Sequence, residues 1–135
     1  MATVIYIPEH KQHLSAMRAV MAYCQREDKV WDERSGHSLV SGIHCDGFNA
    51  VTEFEATKAA HPKLDGMNFY QYVQSFSPRE TITPVQAHEI AKEFAEKAWP
   101  GHEVLVTTHC DVAHVHSHFV INSVSYENGK KLRQD

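Results

Sequence analysis

Apolar positions recur along this chain with two periods, near 2 and near 3.6, and their alternation lays out the elements. ATVIYIP at residues 2–8 reads as a strand. Over residues 12–26, Leu14, Met17, Val20, Met21 and Cys24 fall at helical spacing and predict an amphipathic helix. The charged, glycine-containing EDKVWDERSGH at 27–37 predicts a loop or lid. LVSGIHC at 39–45 predicts a second strand, and Asp46 a cap for a helix over 47–60. HPKLDG is a turn-rich connection, followed by a strand, NFYQYVQSF, at 68–76. Thr83-Pro84-Val85-Gln86 combines a hydroxyl N-cap, proline at the first helical position and glutamine three residues after the cap. The helix it starts places Ala87, Ile90, Ala91, Phe94 and Ala98 on one face and ends at Trp99-Pro100-Gly101. Strands at 102–109 and 115–125 follow, and Asn128-Gly129 marks a turn. The last two strands are joined so tightly that they must form an antiparallel hairpin. The order β-α-β-α-β-α-β-β predicts an α/β sandwich with helices on one or both sheet faces.

That hairpin carries unusual chemistry. Four of the chain's 11 histidines lie between positions 109 and 118, in HCDVAHVHSH. Strand alternation puts His114, His116, His118, Val120 and Asn122 on one face. Isolated histidines are ordinarily surface or hydrogen-bonded residues. Three imidazoles and an amide on one face make a poor core surface and a good site for a divalent cation. Two ligand sets fit the spacing: His109, His116 and His118, or His114, His116 and His118. Along one strand the outer pair of the second set lies about 13 Å apart. Bonds near ~2 Å cannot bridge that span without a sharp bend, so the first set is preferred. Asp111 is placed to receive the outer N–H of a ligating imidazole. Cys110 points to the opposite face from His109 and is not expected to join them.

Composition narrows the class. A chain of 135 residues is one domain with room for a core. At 42% hydrophobic and 22% charged residues it reads as a soluble globular protein. It shows neither a membrane-length apolar run nor a signal peptide, so a cytoplasmic location without membrane partners is expected. Cys24, Cys45 and Cys110 have no paired spacing and read as free thiols in a reducing compartment. The net charge of −4 lacks the basic footprint of a nucleic-acid binder, although a bound cation would add positive charge where it matters. The basic GKKLRQD directly after a strand suggests that further basic sequence belongs beyond residue 135.

Tyr23 sits at the border of the first helix's apolar face. A half-buried tyrosine there is ordinary, but a phenol is also a nucleophile toward phosphodiesters, and a metal that neutralises phosphate oxygens would assist it. Three segments, taken together, resemble the relaxases, the mobilisation endonucleases of plasmids and conjugative transposons in the HUH superfamily. HCDVAHVHSHFVINSVSYENGKK resembles their third motif, YVQSFSPRE with TPVQAHEIAKEFAEKAWPGHEVLV the stretch before it, and AMRAVMAYCQREDKVW with LVSGIHC their first motif. The resemblance runs in order through nearly the whole chain. It implies an HUH-type fold, a central, mostly antiparallel five-stranded sheet with about three helices. It implies strand-specific nicking and strand transfer on single-stranded DNA at an origin of transfer, alongside other relaxosome proteins. The residue matching the family nucleophile is Tyr23, which would keep the 5′ phosphate covalently. His109, His116 and His118 match the metal ligands, with magnesium or manganese the working ion and zinc the alternative. Asp111 matches the motif acid, Ser75 a serine that contacts DNA near the scissile phosphate, and Asn122 a residue trailing the histidine pair. Because some relatives use a histidine nucleophile, His10 and His13 are alternatives to Tyr23, with Tyr6 another.

Arg26, Lys29 and Arg34 follow the tyrosine as candidates for DNA-backbone contact, and Trp31 and Phe48 for base stacking. Two other classes compete. A non-nuclease zinc hydrolase or metal-binding module predicts no role for Tyr23. Replication initiators and transposases of the same superfamily place the nucleophile on a helix after the HxH strand, where this chain has almost nothing.

Overall fold

The strand pattern closes into one sheet. A computed structural model of the chain describes residues 2–62 and 66–132. Strands β1 (Ala2–Ile7), β4 (Val40–Ile43), β5 (Phe69–Phe76), β6 (Val104–His109) and β7 (His116–Asn122) pair in the order β1-β5-β7-β6-β4. Every pairing is antiparallel. This is the five-stranded antiparallel α+β architecture expected of an HUH endonuclease. Parts of the HPKLDG connection and of the basic end at 129–135 lie outside the described residues.

Helices cover both faces. α1 (Leu14–Cys24) and α3 (Ala50–Ala60, entered through a 3-10 turn, Gly47–Asn49) bury Met17, Met21, Cys24, Ala50 and Phe54 against Phe69, Leu105 and Val120. α4 (Pro84–Ala98) packs Ala91 and Ala95, followed by Trp99, against Val104, Val106, Phe119 and Ile121 on the other face. The caps follow the sequence. Asp46 accepts from Phe48 N at 3.0 Å. Thr83 Oγ1 accepts from Gln86 N at 3.1 Å, and Gln86 Oε1 accepts from Thr83 N at 3.0 Å. Thr83→Ala removes that reciprocal cap and should lower stability by about 1 kcal/mol, read as an earlier urea midpoint.

Two readings change. The segment 27–37 is not a plain loop. It forms a one-turn helix, α2 (Glu27–Val30), and a two-residue ribbon, β2 (Trp31–Asp32) with β3 (His37–Ser38). Val30 is fully buried, and its carbonyl accepts from Leu39 N at 2.9 Å. One buried valine among charges is too weak a periodic signal to predict this. The buried face of α4 is also rotated. Ala87, His88, Ala91 and Ala95 face inward, while Ile90 is 40% exposed. The three alanines let the helix approach closely, and His88 is accommodated because both its ring nitrogens are hydrogen-bonded.

Candidate metal and nucleophile site

The register of β6 and β7 builds the site. His109 pairs with His116, and Thr107 with His118. Side chains of paired residues share a face, so three imidazoles converge at one end of the α1-covered side. Their ring centroids lie 5.2 Å (109–116), 4.3 Å (109–118) and 5.1 Å (116–118) apart. One nitrogen from each lies within 4.8 Å of the others. His114 is exposed in the loop before β7 and contributes only its carbonyl.

The outer nitrogens are occupied. His109 Nε2 lies 3.0 Å from the Cys24 carbonyl, His116 Nδ1 lies 3.0 Å from the His114 carbonyl, and His118 Nδ1 lies 3.0 Å from Gln71 Nε2. Two backbone carbonyls therefore accept ring N–H groups. At His118 the Gln71 amide nitrogen faces Nδ1, so Nδ1 accepts and Nε2 carries the ring proton; a half-turn of the carboxamide would reverse this and free Nε2 for an ion. The inner nitrogens of His109 and His116 keep free lone pairs, and His118 Nε2 is buried without any partner. Burial, then the neighbouring imidazoles and the Lys29 ammonium, push His118 down to about 3. Burial, the nearby His116 and Lys29 together outweigh its hydrogen bond and lower His109 as well. Three converging imidazoles, two of them kept neutral by burial, are what a divalent ion requires, so the residues fit such an ion.

Tyr23 comes from the last turn of α1. Its ring is 47% exposed and stands edge-on to His109 and His118, with centroids 5.9 Å and 6.4 Å away. The bond from His109 to the carbonyl of Cys24, the next residue, ties this helix end to the triad. Lys29 Nζ lies 5.1 Å from the Tyr23 ring centre. Asp111 is not placed to receive an imidazole N–H, since all three outer nitrogens are engaged elsewhere. Its carboxylate accepts from Lys29 Nζ at 3.2 Å, holding that ammonium beside the phenol.

Ser75 pairs with His116 on the same face and is half-buried beside the triad. Arg26 is exposed at the end of α1 and paired with Asp28 at 2.8 Å. Trp31 and Phe48 are 44% and 67% exposed. Asn122 is not at the site. It shares the face of His118, but α3 covers that end, and Asn122 is fully buried. Its amide donates to the Phe54 carbonyl and to Glu103, and its oxygen accepts from Lys58 at 2.8 Å. The alternative nucleophiles lie elsewhere. His13 caps the opposite end of α1, and Tyr6 packs against Tyr70 and Tyr72. Gln71 was missed by sequence reasoning. The available signal was a glutamine set among Phe69, Tyr70 and Tyr72 on an inner strand.

Buried neutral histidines also set the acid response. Burial, foremost, pushes His88 down to about 4, as it does His118 to about 3. The unfolded chain protonates each near ~6.5. Below that pH the unfolded state binds protons that the folded state does not, so stability is present above it and falls as pH drops. The slope approaches about 1.4 kcal/mol per pH unit per histidine until the folded value is reached. Chelator-treated protein should therefore show a clearly lower urea midpoint at pH 5 than at pH 7. Equal midpoints would contradict the buried neutral state.

The nuclease-domain model of the MobA/VirD2-like relaxases matches residues 23–135, and the chain belongs to that family. It is similar to two Staphylococcus aureus proteins called protein rlx, 44% and 39% identical over 95 residues, which is 70% of this chain in each case. It is also 27% identical over 137 aligned positions, 82% of this chain, to the group II intron-interrupted relaxase LtrB of Lactococcus lactis. The chain spans only about 30% of the length of the two rlx proteins and 23% of LtrB. Among the described residues no helix is long and apolar enough to cross a membrane.

Proposed function

We propose that this chain is a metal-dependent relaxase domain that nicks one DNA strand at the origin of transfer of a mobile element and keeps the 5′ phosphate on Tyr23. The observation carrying this reading is the exposed Tyr23 phenol beside three convergent imidazole nitrogens on a rigid sheet. His109, His116 and His118 would hold a divalent ion, magnesium or manganese in function with zinc the alternative, which supplies Lewis acidity toward the scissile phosphate.

The chain's own residues do the rest. Two rows of paired residues cross the sheet from the triad: His109-His116-Ser75-Thr3 and Thr107-His118-Val73-Ile5. At the β1 end Thr3 and Ile5 are exposed, Ile5 by 53%. This uncovered margin is the track for single-stranded DNA, with Ser75 contacting the backbone nearest the triad. Arg26 and Lys29, held by Asp28 and Asp111 here, would exchange those carboxylates for the DNA backbone when the strand is bound. Tyr23 Oη forms its bond to phosphorus as the bond to the 3′ oxygen breaks. The phenolic proton passes to solvent, and the departing 3′ oxygen takes one up. Tyrosine suits a reversible transfer, because the phenolate can leave again when a 3′ hydroxyl attacks.

The test incubates the protein with 5′- and 3′-labelled single-stranded oligonucleotides covering an origin of transfer, with manganese or with chelator. A manganese-dependent adduct carrying only the 3′-labelled fragment is expected. Cleavage to two free fragments without an adduct would instead indicate hydrolysis by a metal centre alone.

A further inference from the structure

Behind the triad, on the α4 side, runs a buried polar chain. His88 Nε2 lies 2.7 Å from Ser41 Oγ, and His88 Nδ1 lies 2.8 Å from Thr108 Oγ1. Thr108 Oγ1 lies 2.8 Å from Ser117 Oγ. Three of the four are buried, Thr108 and Ser117 at 0% exposed and His88 at 6%, while Ser41 is half-buried at the outer end. A neutral imidazole donates through one nitrogen and accepts through the other, so it can join two hydroxyls at once.

The position of this chain matters more than its stability. Thr108 pairs with Ser117, directly between the ligand pairs Thr107–His118 and His109–His116. A slip of one residue between strands turns every side chain to the other face. Register is normally held by a hydrophobic face, but these strands have none that discriminates. Val104, Leu105 and Val106 are all buried, as are Phe119, Val120 and Ile121, so both faces are apolar there. At the ligand end, residues 107–109 and 116–118 are polar on both faces. What distinguishes the faces at this end is where the polar partners lie: Thr108 and Ser117 join His88 toward α4, while His109 and His118 meet the Cys24 carbonyl and Gln71 on the other side.

We propose that His88, through Thr108 and Ser117, locks the register of the β6–β7 hairpin and so keeps the three imidazoles converged on the opposite face. His88 is a positioning residue, acting through the strands on the metal site. The inference rests on the reading that the triad binds a divalent ion.

The test compares His88→Asn with His88→Gln. An asparagine amide reaches the place of Nδ1 and keeps the Thr108 bond. A glutamine amide reaches the place of Nε2 and keeps the Ser41 bond. Dissociation constants are measured by Co²⁺ absorbance on folded protein, and amide exchange at 107–109 and 116–118 on metal-free protein. We expect His88→Asn near wild type. His88→Gln should bind Co²⁺ about tenfold or more weakly, with faster exchange at those amides. Thr108→Val, which keeps the shape and loses both hydrogen bonds, should match His88→Gln and carries the comparison if that variant does not fold. Equal binding and exchange in wild type, His88→Gln and Thr108→Val would overturn the inference. So would Asn and Gln variants impaired alike, the mark of simple packing. Failure of the wild type to bind Co²⁺ would instead overturn the metal reading, and the exchange comparison, which needs no metal, would decide the register lock by itself.

Discussion

His118→Ala is expected to abolish divalent-ion binding and DNA nicking together while leaving the fold intact. His118 lends the nitrogen that burial leaves without any partner, and two remaining imidazoles make an incomplete site. The metal-free protein should still fold, with a modest loss of stability, because the ring's packing and its bond to the buried Gln71 amide are removed along with the unpaired Nε2. Titration calorimetry with manganese should fall from a measurable isotherm to none, and the nicking rate by at least about three orders of magnitude. His116→Ala should behave alike. His114→Ala should not, since only its backbone carbonyl serves the triad. If His118→Ala nicked at the wild-type rate in chelator-treated buffer, no metal mechanism through these residues would survive.

Tyr23→Phe is the second large effect. It removes one oxygen from a half-exposed ring and keeps the edge-on contacts with His109 and His118. Metal affinity, single-strand affinity and melting temperature should therefore stay close to wild type. Adduct formation should disappear, because among the described residues no other phenol stands beside the triad: Tyr6 is committed to the aromatic cluster with Tyr70 and Tyr72. Unchanged adduct in the phenylalanine variant would mean that another group attacks.

The five sheet strands and the three longer helices were legible from their apolar runs and boundary residues, and the caps at Asp46 and Thr83 stand where their residue types require. That His109, His116 and His118 converge followed from reach: alternate residues of one strand cannot close on one point, whereas paired strands can. What failed was information that a single strand or helix does not hold. Alternation places Asn122 on the site face but says nothing of α3 lying over it. Asp111 and Lys29 are 82 residues apart, so their ion pair depends on α2 docking beside β6, where Cys110 N donates to the Lys29 carbonyl at 2.8 Å. His88 looks like a surface polar residue on a helix wheel, and only the hydroxyls of Ser41 and Thr108 explain its place inside.

The most direct measurement is the identity of the residue that holds the DNA. Wild-type protein is reacted with a single-stranded origin oligonucleotide and manganese, the adduct is digested, and the modified peptide is sequenced by mass spectrometry. The phosphodiester remnant is predicted on Tyr23. An adduct on His10, His13 or Tyr6 would contradict the assignment of the nucleophile. No adduct on any residue, with metal bound and the DNA cut, would contradict covalent strand transfer itself.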